Sequence, residues 1–133
     1  MVYAYITGGG TAWIFDSLSK GGASKWFLGA RIPYNQKDFD DILGEKPFDG
    51  KYVSHRTAAQ LSVKAYEHAC KISDNNPACI GLGVTAKLKT ENQREDRVNS
   101  VVVSKTFRFG DILKTSNCEL VLDNSISRIQ QVS

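Results

Sequence analysis

Apolar positions recur at two spacings along this chain, and the two spacings predict alternating helices and strands. The clearest helix spans residues 54–71, because small apolar residues recur there three or four positions apart. A shorter, acidic helix is predicted at Gln36–Leu43. Further helices are expected over residues 11–20 and 125–132. Helices of this kind need an apolar sheet to pack against.

Short apolar runs predict the strands of that sheet. The run at 25–33 is apolar almost throughout, which is typical of a strand covered on both faces. Gly81 and Gly83 interrupt another run, and glycine inside a strand suggests that a second piece of backbone approaches closely. The predicted strands span residues 2–6, 25–33, 78–84, 98–109 and 119–122. Because strands and helices alternate without repeats, the pattern favours a layered α/β domain.

Three consecutive glycines, Gly8, Gly9 and Gly10, join the first predicted strand to the first predicted helix. Unpaired N–H groups at a helix N-terminus attract anions, and glycine lets the oxygens of a ligand approach them. Thr7 adds a hydroxyl group beside the glycines. The same glycines are equally typical of a tight turn that needs positive φ, so the motif alone leaves both interpretations open.

Size and charge limit the classes of protein to consider. A chain of 133 residues, with 41% hydrophobic and 23% charged residues, is expected to form one globular domain over residues 1–133. Its formal net charge of +3 is too mild to favour a nucleic acid as the partner. A phosphorylated small molecule suits this charge equally well.

The cysteine and histidine content predicts a reduced protein without a metal. The three cysteines, Cys70, Cys79 and Cys118, have no metal-ligand or redox spacing, and pairing would leave one over. With two histidines and no suitable cysteine pair, neither a metal site nor a cofactor is expected. No apolar run reaches membrane-spanning length and no secretion signal is recognisable, so we expect a soluble, cytoplasmic protein without a membrane partner.

Four motifs in a fixed order resemble the C-terminal domain of the CinA family, whose members are known as nicotinamide mononucleotide deamidases. They are Thr-Gly-Gly-Gly at 7–10, Ile-Pro-Tyr-Asn at 32–35, Tyr-Val-Ser-His-Arg-Thr-Ala-Ala-Gln-Leu at 52–61, and Gly-Leu-Gly-Val-Thr-Ala-Lys-Leu at 81–88. The pattern is most similar to a divergent branch found with nucleotidyltransferase-like domains. The resemblance covers residues 4 to about 104, and the segment at 125–132 is shorter than the last helix of family domains.

The resemblance implies a three-layer α/β/α domain with a mixed sheet and a pocket for nicotinamide mononucleotide or a related phosphorylated nucleotide. It also suggests a homo-oligomer. Positive and negative side chains are mixed at residues 94–97, which fits a solvated loop as well as a phosphate clamp. The two arginines there are therefore either ligands of the phosphate or solvated surface residues. The ligand-binding positions implied are Thr7, Gly8, Gly9, Gly10, Tyr34, Thr85, Arg94 and Arg97.

The catalytic positions of the family pattern are altered in this chain. The serine position, two residues before Thr7, holds Tyr5, and the lysine position holds Phe39. Thr7 as nucleophile and Lys37 as base are the available substitutes, although a shift of two residues turns a helical side chain by about 200°. Three hypotheses therefore remain: a nucleotide-binding domain with degenerate or weak deamidase activity, an active amidohydrolase that uses Thr7 and Lys37, and a structural or oligomerisation module.

Overall fold

A computed structural model describes residues 1–7, 19, 21–87 and 99–122 of the chain. Apart from Ser19, the helices predicted at 11–20 and 125–132 lie outside these residues, as do Gly8, Gly9, Gly10, Arg94 and Arg97. The strands are β1 (Val2–Ile6), β2 (Phe27–Arg31), β3 (Ile80–Lys87), β4 (Asn99–Phe109) and β5 (Ile112–Leu122), and the helices are α1 (Gln36–Leu43) and α2 (His55–Ile72).

The strands form one mixed sheet in the order β2-β1-β3-β4-β5. β1 runs parallel to both β2 and β3, whereas β3, β4 and β5 are successively antiparallel. Both α1 and α2 pack against the sheet face that carries Tyr3 and Tyr5, so these two helices form a single layer. The predicted α/β class with a mixed sheet is therefore confirmed, and the β1–β3 pairing brings distant parts of the sequence together.

Two glycines of β3 allow α2 to lie directly on the sheet. A Cβ atom at Gly81 would lie 2.2 Å from the backbone nitrogen of Tyr66, and one at Gly83 would lie 2.2 Å from the carbonyl oxygen of Ala58. Real Cβ atoms do not approach other atoms so closely. The close backbone approach predicted from these glycines is confirmed, and it fixes the position of α2 relative to β3.

The two faces of β1 bury different apolar clusters. Tyr3 and Tyr5 point towards the helices and join a cluster with Phe39 of α1 and Leu61 of α2. Ala4 and Ile6 point the other way, where they pack with Val84. A strand that is covered on both faces by this alternation is the central support of the sheet.

Two strand predictions need correction. The run at 25–33 is not a strand covered on both faces: β2 is shorter, only partly buried, and ends at the exposed Arg31. It is shortened because Ala23–Lys25 form a 3-10 turn after Gly22, whose φ is 86°. The last strand begins at Ile112, seven residues before the predicted start at Glu119. Its side chains over residues 112–119 are exposed, so apolar patterning could not indicate it.

Candidate functional site

A cavity of about 220 Å³ opens at the carboxyl ends of the parallel strands. One wall comes from the residues after β1 and at the end of β3, and another from the segment that links β2 to α1. The residues just before α2 complete it. Open α/β sheets bind their ligands at this edge. The described lining comprises Thr7, Pro33, Tyr34, Gln36, Phe39, Tyr52, Val53 and Ala86.

Two threonines stand side by side at this edge. The backbone N–H of Thr7 donates to the carbonyl oxygen of Val84 at 2.8 Å, which extends the β1–β3 ladder by one residue and sets Thr7 opposite Thr85. The Thr7 hydroxyl donates weakly to the same carbonyl, at 3.4 Å. Thr85 is fully buried, and among the described residues its hydroxyl has no hydrogen-bond partner. A buried hydroxyl without a partner is uncommon in proteins and calls for an explanation.

Aromatic side chains form much of the cavity wall. The rings of Phe39 and Tyr52 meet edge to face, with their centroids 5.1 Å apart. The Tyr52 hydroxyl donates to Asp40 at 3.1 Å, and burial together with this carboxylate raises the pKa of Tyr52. Tyr34 is the opposite case, because 85% of its surface is exposed at the rim of the cavity. The wall therefore offers a fixed aromatic pair and one free aromatic ring.

The two positions that the resemblance aligned with the family's serine and lysine are both part of the core. Tyr5 is 4% exposed, and its ring lies 5.6 Å from that of Tyr3. The guanidinium group of Arg31 lies over the Tyr5 ring at 5.9 Å, and burial raises the pKa of the Tyr5 phenol. Phe39 is 3% exposed in the same cluster. Neither position presents a nucleophile or a base to the cavity.

The two substitute catalytic residues do not meet in the cavity. Thr7 lines it, but Lys37 lies exposed in the first turn of α1 and is not part of the described lining. The backbone N–H of Lys37 donates to the side chain of its helix cap, Asn35, at 2.8 Å. The described lining contains no Lys, Arg, His, Asp or Glu side chain at all. Its only titratable groups are the phenols of Tyr34 and Tyr52.

The structure thus brings together part of the predicted site. Thr7 and Tyr34 line the cavity, and Thr85 lies beside Thr7 without lining it. Sequence reasoning missed Gln36 and Tyr52 as lining residues. Both stand close to motifs that were recognised, Gln36 after the Pro-Tyr-Asn corner and Tyr52 at the start of the segment that leads into α2. Their position in those motifs was the available signal.

The described residues hold no group of three or more His, Cys, Asp or Glu side chains that could bind a metal ion. None of the helices in the described part of the chain is both long and apolar enough to cross a membrane.

Solved structures of CinA-superfamily proteins have the same fold as this chain. The competence/damage inducible protein CihA from Agrobacterium tumefaciens matches with a TM-score of 0.74 at 19% identity, over 99% of this chain and 76% of its own. A competence or damage-inducible protein from Enterobacter asburiae matches with a TM-score of 0.67 at 12% identity, over 98% and 79%. A CinA superfamily protein from Escherichia coli gives 0.63 at 13%, over 98% and 73%. No protein-family model and no curated protein matches the sequence. The chain therefore has the CinA-type fold, as the resemblance predicted.

Proposed function

We propose that this chain binds a phosphorylated nucleotide of the nicotinamide mononucleotide type and hydrolyses it weakly or not at all. The observation that carries the proposal is the aromatic cavity at the carboxyl edge of β1 and β3, next to two core aromatics at the positions where the family pattern has serine and lysine. The fold shared with CinA-superfamily structures agrees with the resemblance from which the ligand class was inferred.

The size of the cavity suits one end of such a ligand. A volume of about 220 Å³ is below the range of about 300–1,000 Å³ that encloses a drug-sized molecule. We therefore expect the planar base to occupy the cavity, with the aromatic wall against its ring. The Gln36 side chain can donate to and accept from a carboxamide on that ring. Tyr34 is exposed and free to stack on the base from the rim.

The phosphate group would then lie towards Gly8, Gly9 and Gly10, which directly follow Thr7 in the sequence. Glycine N–H groups and threonine hydroxyls are the groups that commonly bind phosphate at a strand-to-helix turn of the kind that the sequence predicts for residues 7–11. Thr85 does not line the described cavity, so a contact between its buried hydroxyl and the ligand is a separate part of the proposal; a bound oxygen or nitrogen atom would give that hydroxyl a partner.

Binding without efficient hydrolysis follows from the titratable groups. Amide hydrolysis needs a nucleophile with a base within hydrogen-bond distance. The Thr7 hydroxyl faces a backbone carbonyl, and Lys37 is outside the described lining. The proposal therefore predicts little or no ammonia release from nicotinamide mononucleotide, and any release that is detected should not depend on both Thr7 and Lys37. Turnover abolished by both Thr7→Ala and Lys37→Ala would instead support the active amidohydrolase.

Calorimetric titration with nicotinamide mononucleotide, NAD and ADP-ribose tests the binding. We expect binding of at least one of them at submillimolar concentration. Tyr34→Ala is expected to weaken it about 5- to 10-fold, which corresponds to about 1–1.4 kcal/mol of lost stacking. Phe48→Ala removes a similarly exposed aromatic ring (67%) outside the cavity and serves as the matched control. No binding of any of the three compounds at millimolar concentration would refute the proposal.

Thr85→Val gives a second test with a distinctive pattern. Replacing an unpaired buried hydroxyl by an isosteric methyl group is expected to leave the free protein as stable as before, or more stable. The same change should weaken ligand binding, because the bound ligand loses its proposed hydrogen bond to Thr85. Loss of stability in the free protein with unchanged affinity would show that the hydroxyl has a structural role instead.

We also propose that the chain works in the cytoplasm. Cys70, Cys79 and Cys118 are all free thiols in the structure, which is typical of a reducing compartment. Alkylation of the protein in freshly lysed cells tests this, and all three cysteines are expected to react once the protein is unfolded. Recovery of an oxidised form would contradict the assignment.

A further inference from the structure

Two cysteines come together at the end of the sheet opposite the proposed nucleotide site. Cys70 is partly buried in the last turn of α2, and Cys79 is buried one residue before β3. Cys79 belongs to the apolar cluster between the helices and the sheet, and Cys70 packs against that cluster. Neither thiol takes part in the proposed binding of a nucleotide.

The packing of α2 on β3 brings the two cysteines to the same place. A Cβ atom at Gly83 would lie 2.6 Å from the backbone nitrogen of Ser62, and one at Gly81 would lie 2.2 Å from that of Tyr66. Two residues back along β3 therefore correspond to one further turn of α2, which is about four residues. One more step of this kind leads from these positions to the two cysteines, which face each other across the contact between helix and strand.

Hydrogen bonds around the turn after α2 hold the Cys79 thiol in this place. The Ser73 hydroxyl donates to the carbonyl oxygen of Ala69 at 2.6 Å and lies 3.0 Å from the Sγ atom of Cys79. The carbonyl oxygen of Cys70 accepts the N–H of Asn75 at 2.8 Å. The side chains of Cys70 and Cys79 are hydrogen-bonding neighbours, and burial raises the pKa of the Cys79 thiol. The two sulfur atoms are therefore held next to each other.

The surroundings of the pair are open to a small oxidant and carry positive charge. Cys79 borders a cavity of about 320 Å³ that Lys105 and Arg108 also line. The Nε of Arg108 donates to the Tyr66 hydroxyl at 3.4 Å, one helical turn before Cys70, and the guanidinium group interacts with Cys70 itself. Thiols that react with oxidants are typically partly exposed and close to cationic groups. Cys70 meets both conditions.

We propose that Cys70 and Cys79 form a reversible disulfide when hydrogen peroxide reaches them. Cys70 reacts first, because it is the more accessible of the two. Its sulfur attacks one peroxide oxygen, so that an S–O bond forms, the O–O bond breaks, and the released hydroxide takes up the thiol proton as water. The Cys79 sulfur then attacks the sulfur of this sulfenic acid. An S–S bond forms, the S–O bond breaks, and a second water molecule carries away the Cys79 proton.

The two sulfur atoms together lose two electrons in this reaction, and the peroxide gains them. The disulfide closes residues 70–79 into a loop and ties the last turn of α2 to the start of β3. In the reducing compartment proposed above, both residues remain thiols until peroxide reaches them. The pair lies at the opposite end of β3 from the nucleotide cavity, so its chemistry does not depend on ligand binding.

Peptide mapping of the wild-type protein after oxidation tests the pairing. The folded, reduced chain is treated with hydrogen peroxide, and the remaining thiols are then alkylated in denaturant. Trypsin cleaves after Lys64, Lys71 and Lys87, so the two cysteines lie on different peptides that only a disulfide joins. We expect the joined peptides, the loss of two of the three thiols, and an alkylated Cys118. Dithiothreitol should restore all three thiols, which it cannot do once a sulfinic acid has formed.

Two control variants separate the proposed pair from general oxidation. Cys118→Ser removes the exposed thiol of β5 and should leave the Cys70–Cys79 disulfide unchanged. In Cys79→Ser no second thiol lies beside Cys70, which is therefore expected to advance to the sulfinic acid. The map of the wild-type protein decides even where a variant fails to fold. Three intact thiols after peroxide, Cys70 alone as the sulfinic acid, or a disulfide that involves Cys118 would each overturn the proposal.

Discussion

Replacing Gly81 by alanine tests how α2 is held on the sheet. The added Cβ would lie 2.2 Å from the backbone nitrogen of Tyr66 and 2.3 Å from the carbonyl oxygen of Ser62. Ordinary contacts begin at 3.4 Å, so helix and strand must separate by about 1.2 Å. Overpacking of a core costs about 1–3 kcal/mol, and the upper end applies because the obstacle is helix backbone rather than a flexible side chain. We therefore expect a loss of about 3 kcal/mol.

Thermal unfolding followed by circular dichroism measures this loss. At about 2.1 cal/mol/K per residue, a chain of 133 residues unfolds with an entropy near 280 cal/mol/K, so about 3 kcal/mol lowers Tm by about 11 °C. Gly21→Ala is the matched control, because no atom of the described residues beyond its chain neighbours lies within 4 Å of the added Cβ and the φ of Gly21 is outside the left-handed region. Its Tm should stay level or rise slightly. A Gly81→Ala variant within about 2 °C of this control would refute the reasoning.

Two further predictions concern polar side chains of α2 itself, the buried Ser62 and the partly buried His68. Ser62→Ala should lower the free energy of unfolding by about 1–3 kcal/mol, as measured by urea titration. The Ser62 hydroxyl lies 2.7 Å from the Thr106 hydroxyl and 3.2 Å from the Ser104 hydroxyl, and both would lose a buried partner. Ser104→Ala should therefore cost less stability in the Ser62→Ala variant than in the wild-type protein. Burial beside the Tyr3 ring lowers the pKa of His68 below its usual 6.5, so the folded state favours the neutral imidazole. The contribution of His68 to the free energy of unfolding should therefore be fully present above pH 6.5 and be lost as the pH falls below it. His68→Gln should flatten that dependence, and an NMR titration giving a pKa at or above 6.5 would contradict it.

The elements that sequence patterning predicted well are those with one buried face. The acidic helix at Gln36–Leu43 has the predicted bounds and its predicted cap, Asn35, whose side chain accepts the Lys37 N–H. α2 likewise begins after Ser54, whose hydroxyl accepts the Thr57 N–H. In both helices a local hydrogen bond fixes the start and an apolar stripe fixes the buried side. Local signals of this kind are fully contained in the sequence.

The failures have the opposite cause. β5 is exposed over residues 112–119, so its strand conformation comes from hydrogen bonding to β4 rather than from burial of its own side chains. β2 was expected to be covered on both faces because it is apolar, yet it is only partly buried and lies at the edge of the described sheet. The order of strands depends on which distant segments pair, and no single segment carries that information. The same reason explains why Gln36 and Tyr52 were not predicted as lining residues, because tertiary packing brings them to the cavity.

Aromatic residues at the two positions that the resemblance aligned with the family's serine and lysine fit the packing of the fold. Tyr5 and Phe39 belong to one apolar cluster with Leu61 of α2, on the face where Gly83 lets the helix approach β3. Large aromatic side chains at both positions fill space between α1, α2 and the sheet, and they bring no charge into it. A serine and a lysine there would be a polar pair that needs partners in a buried setting. The two aromatic residues therefore stabilise the core behind the cavity wall and bring no reactive group to it, which is what the proposed function, binding without efficient hydrolysis, requires.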